Sequence, residues 1–436
     1  MINIKNKTIT IHEIIERLKN NSLAKDSFWA VFGNGFGTFL LLVGGIIIAR
    51  LLGKDLYGEY GVVKTTMFYI AGFATFGLGY TSTKFVAEYL NTNKEQVKGV
   101  IWSSITISFA TSFLLCLLLF FFATPLAGFI NEPRLSSAFQ YLGVIIILRA
   151  LSVTENGILS GMKRFQSMGI NSIISGLCLL ICGAVFTYFW SVQGSLLALL
   201  FSQLILLILN SICIYKETRD YPDSSNKNFM YILGFSLPVS IQELSYTLSH
   251  WGATLLVTKY ASLGEVGIYS AASQWGAIVL FIPGLLMNVV LSYLSDNAEE
   301  NQTHQLVFKR MIIVNFASSL IPFVIVLLFS NFIASFYGPT FQGLGLVISI
   351  IVLGTVFSSI SNVYQSDMIS LGKNWTLFIF RIIRDLFIIV SLWVSLQHFH
   401  SNAALIFAII SVVSSLLYLL LLVSYKHKLL FVVHCT

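Results

Sequence analysis

The sequence predicts an all-α polytopic membrane protein of about twelve transmembrane helices in two six-helix halves. Its composition, its long apolar runs and the distribution of its positive charges each support this fold class. Hydrophobic residues make up 56% of the 436 residues, charged residues make up 10%, and the mean hydropathy is +0.82. Because soluble globular chains carry about 25% charged residues, a water-soluble fold of this composition could not hide its apolar surface.

Long apolar runs recur along the chain. A helix needs roughly 20 apolar residues to cross a bilayer, and twelve runs meet that length. The runs are continuous rather than alternating, which excludes a membrane β-barrel. The predicted spans are 28–49, 60–81, 100–123, 139–161, 170–190, 194–214, 231–257, 267–294, 311–336, 342–369, 377–396 and 402–425.

Lys and Arg residues are distributed asymmetrically between the loops. Eighteen of the 26 fall in segments on the same side as the N-terminus, four fall on the opposite side, and four lie within spans. The positive-inside rule therefore places both termini in the cytoplasm. Membrane topology accounts for the net charge of +7, so the charge does not indicate a nucleic-acid partner.

Five segments follow from these runs. The first is a polar N-terminal segment whose apolar residues fall at helical spacing, which predicts an amphipathic helix on the cytoplasmic membrane surface. Two six-helix bundles follow, joined by a cytoplasmic linker and ended by a short cytoplasmic tail. The predicted boundaries are 1–27, 28–214, 215–230, 231–425 and 426–436.

The two halves resemble each other at loop positions. Gly58 and Tyr60 in one half align with Gly267 and Tyr269 in the other at an offset of 209 residues, and 158–165 aligns with 368–375 at a similar offset. Chance similarity between apolar segments is the alternative explanation. The constant offset at loop positions favours a parallel internal repeat, which many transporters contain.

Arg149 lies near the middle of the fourth span, where a charged side chain costs about 2.5–3.5 kcal/mol. Ser152, Asn156 and Ser160 share its helical face. We expect this polar stripe to form a cavity wall that attracts an anion. The alternative is a structural arginine paired with a carboxylate such as Glu155 or Glu243.

Three further cations lie within spans. Lys64 sits about one turn inside the outer end of span two, and it either faces a cavity or extends outward to the interface. Arg381 and Arg384 begin span eleven, with Asp385 one turn beyond Arg381. These two arginines are interpreted as a docking point for an anionic head group or as a cytoplasmic anchor with an internal salt bridge.

Span seven carries Glu243, Thr247, His250 and Thr254 on one helical face. A carboxylate and an imidazole two turns apart are typical of a proton or cation relay, and the alternative is a buried hydrogen-bonded pair. Asp367, at the cytoplasmic end of span ten, is expected to be solvated.

Common nucleotide-binding and hydrolase motifs are absent from the sequence. No Walker A pattern, Rossmann fingerprint, HExxH or GxSxG occurs. We therefore expect no catalytic residues, no cofactor and no metal site. Cys178 and Cys182, one helical turn apart, are interpreted as packing residues because no His or second Cys pair accompanies them.

Residues 44–90 resemble the start of bacterial polysaccharide flippases of the Wzx type. These belong to the multidrug/oligosaccharidyl-lipid/polysaccharide (MOP) exporter superfamily. The shared pattern is a basic residue at a span end, then Leu-Gly, Gly-x-Tyr and Phe-Gly-Leu. The corresponding residues here are Arg50, Leu52-Gly53, Gly58-Glu59-Tyr60 and Phe76-Gly77-Leu78, and the theme returns in 236–238 and 264–273.

This resemblance implies two six-helix bundles around a central cavity. It also implies flipping of an undecaprenyl-pyrophosphate-linked oligosaccharide from the inner to the outer leaflet, for O-antigen or capsule synthesis, beside other polysaccharide-assembly proteins. Cavity cations would hold the anionic head group, a role that suits Lys64 and Arg149. Many relatives carry an acidic residue near the outer end of span seven, where this chain has His250 and Thr254, which leaves open whether a cation drives transport.

The sequence is also compatible with other functions. A cation-coupled multidrug exporter of the same superfamily would favour an acidic, aromatic cavity, whereas the charges within these spans lean positive. A membrane-embedded polysaccharide polymerase or acyltransferase would carry a large external loop with Arg or His, and the external loops here are short. A lipid scramblase or passive scaffold is a third class.

Overall fold

A computed structural model describes residues 29–90, 92–222, 229–284, 286, 290, 294, 301–399 and 402–435. The predicted amphipathic segment 1–27 and residues 223–228 of the predicted linker lie outside the described residues. A short π-helical turn at Trp29–Gly33 precedes the first long helix. The α-helices that follow are α1 (Asn34–Ala74), α2 (Leu78–Tyr89), α3 (Lys94–Phe129), α4 (Leu135–Gly161), α5 (Phe165–Thr218), α6 (Phe229–Tyr260), α7 (Leu263–Val279), α8 (Asn301–Ser335), α9 (Leu344–Ser370), α10 (Asn374–His398) and α11 (Ala403–Cys435).

Two of these helices are interrupted by residues with non-helical backbone. Gly53 in α1 has φ 70° and ψ 171°, a conformation that costs a glycine little because it lacks a Cβ. Trp190 and Ser191 interrupt α5 in the same way. Each break separates two of the predicted spans. In α5 the chain turns back at the break, because Ser175 lies within hydrogen-bond distance of Ser202 on its other side.

The all-α polytopic membrane class is confirmed. Seven helices in the described part of the chain are long and apolar enough to cross a bilayer, and none of the described residues forms a β-strand. Three of the seven are α1, α5 and α3, the last with a row of exposed phenylalanines at 120–122. The exact count of twelve spans and the six-plus-six repeat stay predictions.

Helices α1–α5, here called the N-terminal half, meet α6–α11, the C-terminal half, chiefly through α1. Within its own half α1 packs on α5 and α4, and across the halves it packs on α7 and α6. Small residues permit the close approach to α5: a Cβ on Gly37 would lie 2.8 Å from the backbone of Ser172. Helix α1 therefore makes most of the contacts between the two halves.

The halves touch at both ends of the molecule. At the predicted outer end, Gly58 abuts the backbone of Leu263, and Gly267 abuts α1 in return. We call this contact the glycine seam. At the predicted inner end, the hydroxyl of Ser236 donates to Thr81 Oγ1 at 2.9 Å. The space enclosed between these contacts is the central cavity.

Candidate functional site

The central cavity lies where α1 of the N-terminal half faces four helices of the C-terminal half, and it has a volume of about 430 Å³. Five helices line it, and each presents residues one or two turns apart, as expected for one face of a helix. Aromatic rings and small hydroxyls dominate the lining. The polar and aromatic lining residues include Tyr57, Lys64, Thr65, Phe68 and Tyr69 of α1, Tyr246, His250 and Thr254 of α6, Tyr269, Ser270, Ser273 and Gln274 of α7, Thr355 and Ser358 of α9, and Phe407, Ser411 and Ser415 of α11.

Lys64 is the only Lys or Arg among the described residues that line this cavity. Its Nζ lies 5.7 Å from the centroid of the Tyr60 ring, a cation–π distance. No ion pair to Lys64 occurs within the described residues, and no described lining residue is acidic. Among the described residues, Lys64 therefore has no carboxylate partner where it lines the cavity.

Hydrogen bonds hold the aromatic lining in place. Gln274 Nε2 donates to the Tyr57 hydroxyl and also to the Ser270 carbonyl at 3.3 Å. The Tyr269 ring stacks on Phe407 with 3.9 Å between centroids. Because these side chains are fixed by partners, they offer a preformed surface rather than a collapsible one.

His250 lies among aromatic rings on α6. Its ring is 4.4 Å from that of Tyr246 and stacks at 5.7 Å on that of Tyr69. Thr247 Oγ1, which shares the predicted polar face, instead donates to the Tyr69 carbonyl at 3.1 Å. That face therefore joins the halves together in part, and only its His250 and Thr254 positions reach the cavity.

A second pocket of about 270 Å³ lies toward the predicted inner end and holds both arginines of α10. Arg381 Nη2 donates to Gln365 Oε1 at 2.6 Å. Arg384 donates to Asp385 Oδ1 from Nε at 2.9 Å and from Nη2 at 2.7 Å. The sequence predicted a salt bridge between Arg381 and Asp385, four residues apart. In the structure, Arg384 makes the short ion pair with Asp385.

The proposed relay pair is divided between the two cavities. Glu243 lines the second pocket, His250 lines the central cavity, and Tyr246 lines both. The two residues are thus not in contact, and any proton path between them runs past the Tyr246 ring. Their coupling role stays a prediction.

Arg149 does not line either cavity. Its Nη1 lies 3.5 Å from Gln203 Oε1 on α5. About two helical turns further along the same face, Asn156 accepts a hydrogen bond of 3.1 Å from Asn210. The expected cavity wall is therefore a helix–helix contact, because α5 carries amides at matching positions. The expected partner Glu155 instead accepts a 2.6 Å bond from Ser211.

Asp367 was expected to be solvated and is only 2% exposed. It is held by His304 and Lys426, which come from distant parts of the sequence. Sequence reasoning also missed Tyr246 and Gln274, although Gln274 is a polar residue in an apolar run and could have been identified as such.

Comparisons with known proteins agree with this arrangement. The sequence profile of the family described as "Polysaccharide biosynthesis protein" matches residues 23–297. A "Putative O-antigen transporter" of Shigella flexneri is 22% identical over 368 residues, which cover 81% of this chain and 86% of that protein. The "Succinoglycan biosynthesis transport protein ExoT" of Rhizobium meliloti is 25% identical over 57% of this chain and 49% of that one.

Solved structures show the same fold. An inward-facing multidrug resistance MATE family transporter of the MOP superfamily matches with a TM-score of 0.76 and 14% identity over 90% of this chain and 94% of that one. The lipid II flippase MurJ, in an inward closed conformation, matches with a TM-score of 0.72 and 16% identity over 91% and 87%. The chain is a multi-pass membrane protein that belongs to the polysaccharide biosynthesis protein family.

Proposed function

We propose that this protein flips an undecaprenyl-pyrophosphate-linked oligosaccharide, the repeat unit of a surface polysaccharide, from the cytoplasmic to the outer leaflet of the inner membrane. The observation that carries the proposal is Lys64, whose positive charge faces a cavity between the two halves that has no acidic lining residue among those described. Family membership and the names of the relatives in Shigella and Rhizobium support it.

The lining of the central cavity matches the chemistry of such a substrate. A pyrophosphate is an anion that an ammonium group attracts strongly where water is scarce. The exposed rings of Phe68 and Tyr246 suit sugar rings. The hydroxyls of Ser270 and Ser273 can exchange hydrogen bonds with sugar hydroxyls. Arg381 and Arg384, in the second pocket, would receive the head group first from the cytoplasmic side.

Alternating access would move the substrate past these groups. In the described state the glycine seam closes the predicted outer end. Opening that seam while the inner ends close would expose Lys64 to the other leaflet, as in other transporters built from two repeats. Both termini would be cytoplasmic in this arrangement, and the partners are the lipid-linked substrate, membrane lipids and other polysaccharide-assembly proteins.

A multidrug exporter is the closest rival, since a MATE transporter shares the fold. Cationic drugs would be repelled by Lys64, and no described carboxylate of the central cavity attracts them. The lining therefore favours an anionic substrate. The same lining carries no group arranged as a nucleophile with its base, which gives a membrane-bound polymerase or acyltransferase no support.

Reconstitution tests the proposal directly. Vesicles containing the protein receive a fluorescent undecaprenyl-pyrophosphate oligosaccharide in one leaflet, and its transfer is measured beside efflux of a cationic dye. Since a hydrogen bond to a charged group contributes about 1.5–3 kcal/mol, Lys64→Gln should weaken apparent binding by about ten- to 150-fold, and Lys64→Arg should retain part of it.

Lys373→Gln is the matched control, because Lys373 is exposed in a loop away from both cavities. It should transport like the wild type. Dye efflux without lipid transfer, or full transport by Lys64→Gln, would contradict the proposal.

A further inference from the structure

A buried charged cluster lies at the predicted inner end of the C-terminal half, outside both cavities. It comprises His304 of α8, Asp367 of α9 and Lys426 of α11, and it joins three helices that are far apart in sequence. His304 is 6% and Asp367 is 2% exposed. Lys426 Nζ donates to Asp367 Oδ2 at 2.8 Å.

The imidazole of His304 sits between two hydrogen-bond acceptors. Its Nδ1 is 3.2 Å from the carbonyl oxygen of Leu294, and its Nε2 is 2.7 Å from Asp367 Oδ1. A backbone carbonyl and an ionised carboxylate can only accept, whereas a neutral imidazole carries one N–H. Both contacts are hydrogen bonds only when both ring nitrogens carry a proton.

The contacts of Asp367 favour placing such an extra proton on the imidazole rather than on the carboxyl group. Lys426 donates to the second oxygen of Asp367, which stabilises the ionised carboxylate. The ammonium of Lys426 also lies 3.0 Å from the centre of the Phe308 ring, and a ring face stabilises positive charge. Two cations and one carboxylate can therefore share this buried space.

Other titratable groups near the cluster do not cancel this charge. Tyr364 of α9 packs edge-on against Phe308. Arg381 of α10 bonds to Gln365. Lys309 and Arg310 of α8 are exposed. Among the described residues, Asp367 is thus the carboxylate that pairs with His304.

We propose that His304 and Asp367 form a proton-binding site that clamps the inner ends of α8, α9 and α11. When the N–H bond at Nδ1 breaks, the proton passes to cytoplasmic water and the nitrogen lone pair faces the Leu294 carbonyl. Two hydrogen-bond acceptors then face each other in a buried site. Moving them apart costs less free energy than keeping both buried without a donor. Proton release therefore loosens α8 from the Leu294 carbonyl, and the inner end of this half responds to cytoplasmic pH.

The site predicts a spectroscopic signature that does not depend on the transported molecule. The full chain is labelled with ¹⁵N-histidine, placed in lipid nanodiscs, and examined by solid-state NMR at neutral pH. We expect one histidine with both ring nitrogens protonated, assigned by its loss in His304→Gln. His398→Gln, which removes an exposed ring at the opposite end, should leave that signal unchanged.

Asp367→Asn separates proton binding from packing. An asparagine amide can donate to Nε2, so a neutral ring with its proton on Nδ1 satisfies both contacts. We expect this variant to fold and to lose the doubly protonated signal. A single protonated nitrogen on His304 in the wild type at neutral pH would overturn the proposal.

A distance measurement tests the clamp. Spin labels at the exposed positions Leu306 and Ser424 report the separation of α8 and α11 in a background without native cysteines. The distance should lengthen as pH rises in the wild type and stay constant in Asp367→Asn. A pH-dependent change that persists in Asp367→Asn, or none in the wild type, would refute the clamp, while loss of substrate flipping alone would bear on the proposed function and not on this site.

Discussion

The glycine seam predicts that one methyl group can hold the outer end of the protein open. A Cβ on Gly58 would overlap the carbonyl oxygen of Leu263, and it would lie 2.5 Å from that carbonyl carbon and 3.1 Å from the Leu263 Cα. All three are backbone atoms, so no side-chain rotation relieves the overlap and the helices themselves must separate. Real Cβ atoms essentially never approach other heavy atoms within 3.0 Å.

The size of the effect follows from this overlap. Adding a methyl group to a packed interface costs about 1–3 kcal/mol. Gly58→Ala therefore lowers the population of the closed seam relative to the open one by about five- to 150-fold. Under the proposed function, flipping slows as well, because the cycle can no longer close the outer end before reloading.

Spin labels at the exposed positions Leu56 and Ser262, on opposite sides of the seam, measure the gap by pulsed electron resonance in nanodiscs. Gly58→Ala should shift the distance distribution to longer values than in the labelled wild type. The matched control is Gly72→Ala on the same helix, where an added Cβ has no atom within 4 Å. An unchanged distribution in Gly58→Ala, or an equal shift in Gly72→Ala, would refute the reasoning.

Three further predictions concern other sites. Asn210 forms hydrogen bonds with Asn156 at 3.1 Å and with Asn171 at 2.8 Å. Asn210→Ala should destabilise the protein by about 1–3 kcal/mol, because both amides then lose this partner. The loss is measured as a lower Tm in detergent. A Cβ on Gly157 would lie 2.8 Å from the Gly79 backbone, so Gly157→Ala should lower Tm by separating α2 from α4, whereas Gly128→Ala, with open space around it, should not. If Glu243 and His250 couple transport to a proton or cation, collapsing the ion gradients should slow flipping in vesicles and Glu243→Gln should remove that dependence, whereas flipping that ignores the gradients in the wild type would end the relay hypothesis.

Most of the fold class could be predicted from the sequence, because apolar runs and loop charges are local properties. The breaks in α1 and α5 fall at the gaps between predicted spans, 50–59 and 191–193. Gly53 suggests one through its lack of a side chain, whereas Trp190 and Ser191 carry no such signal. The aligned pair Gly58 and Gly267 predicted similarity between the halves, and sequence alone could not reveal that the two glycines meet at one seam.

The orientation of a charged side chain could be predicted only where few orientations were possible. For Lys64 the sequence left two orientations, and in the structure the side chain lines the cavity. Arg149 was assigned to a cavity because its own helical face is polar, but the amide of Gln203 on α5 decides where the guanidinium points. Asp367 looked solvated because its partners His304 and Lys426 lie about 60 residues away on either side. Pairing across such distances is set by tertiary packing, which periodicity within one helix cannot report.

The size of the central cavity has a consequence for selectivity. A volume of about 430 Å³ falls in the range of pockets that enclose one small molecule. A pyrophosphate with its first sugar would fill it, and the remaining sugars would have to extend beyond it. Under the proposed function, discrimination is therefore confined to the part of the cargo nearest the lipid, and glycans that differ only farther along should be carried at similar rates. A cell could then diversify its outer sugars without changing this protein.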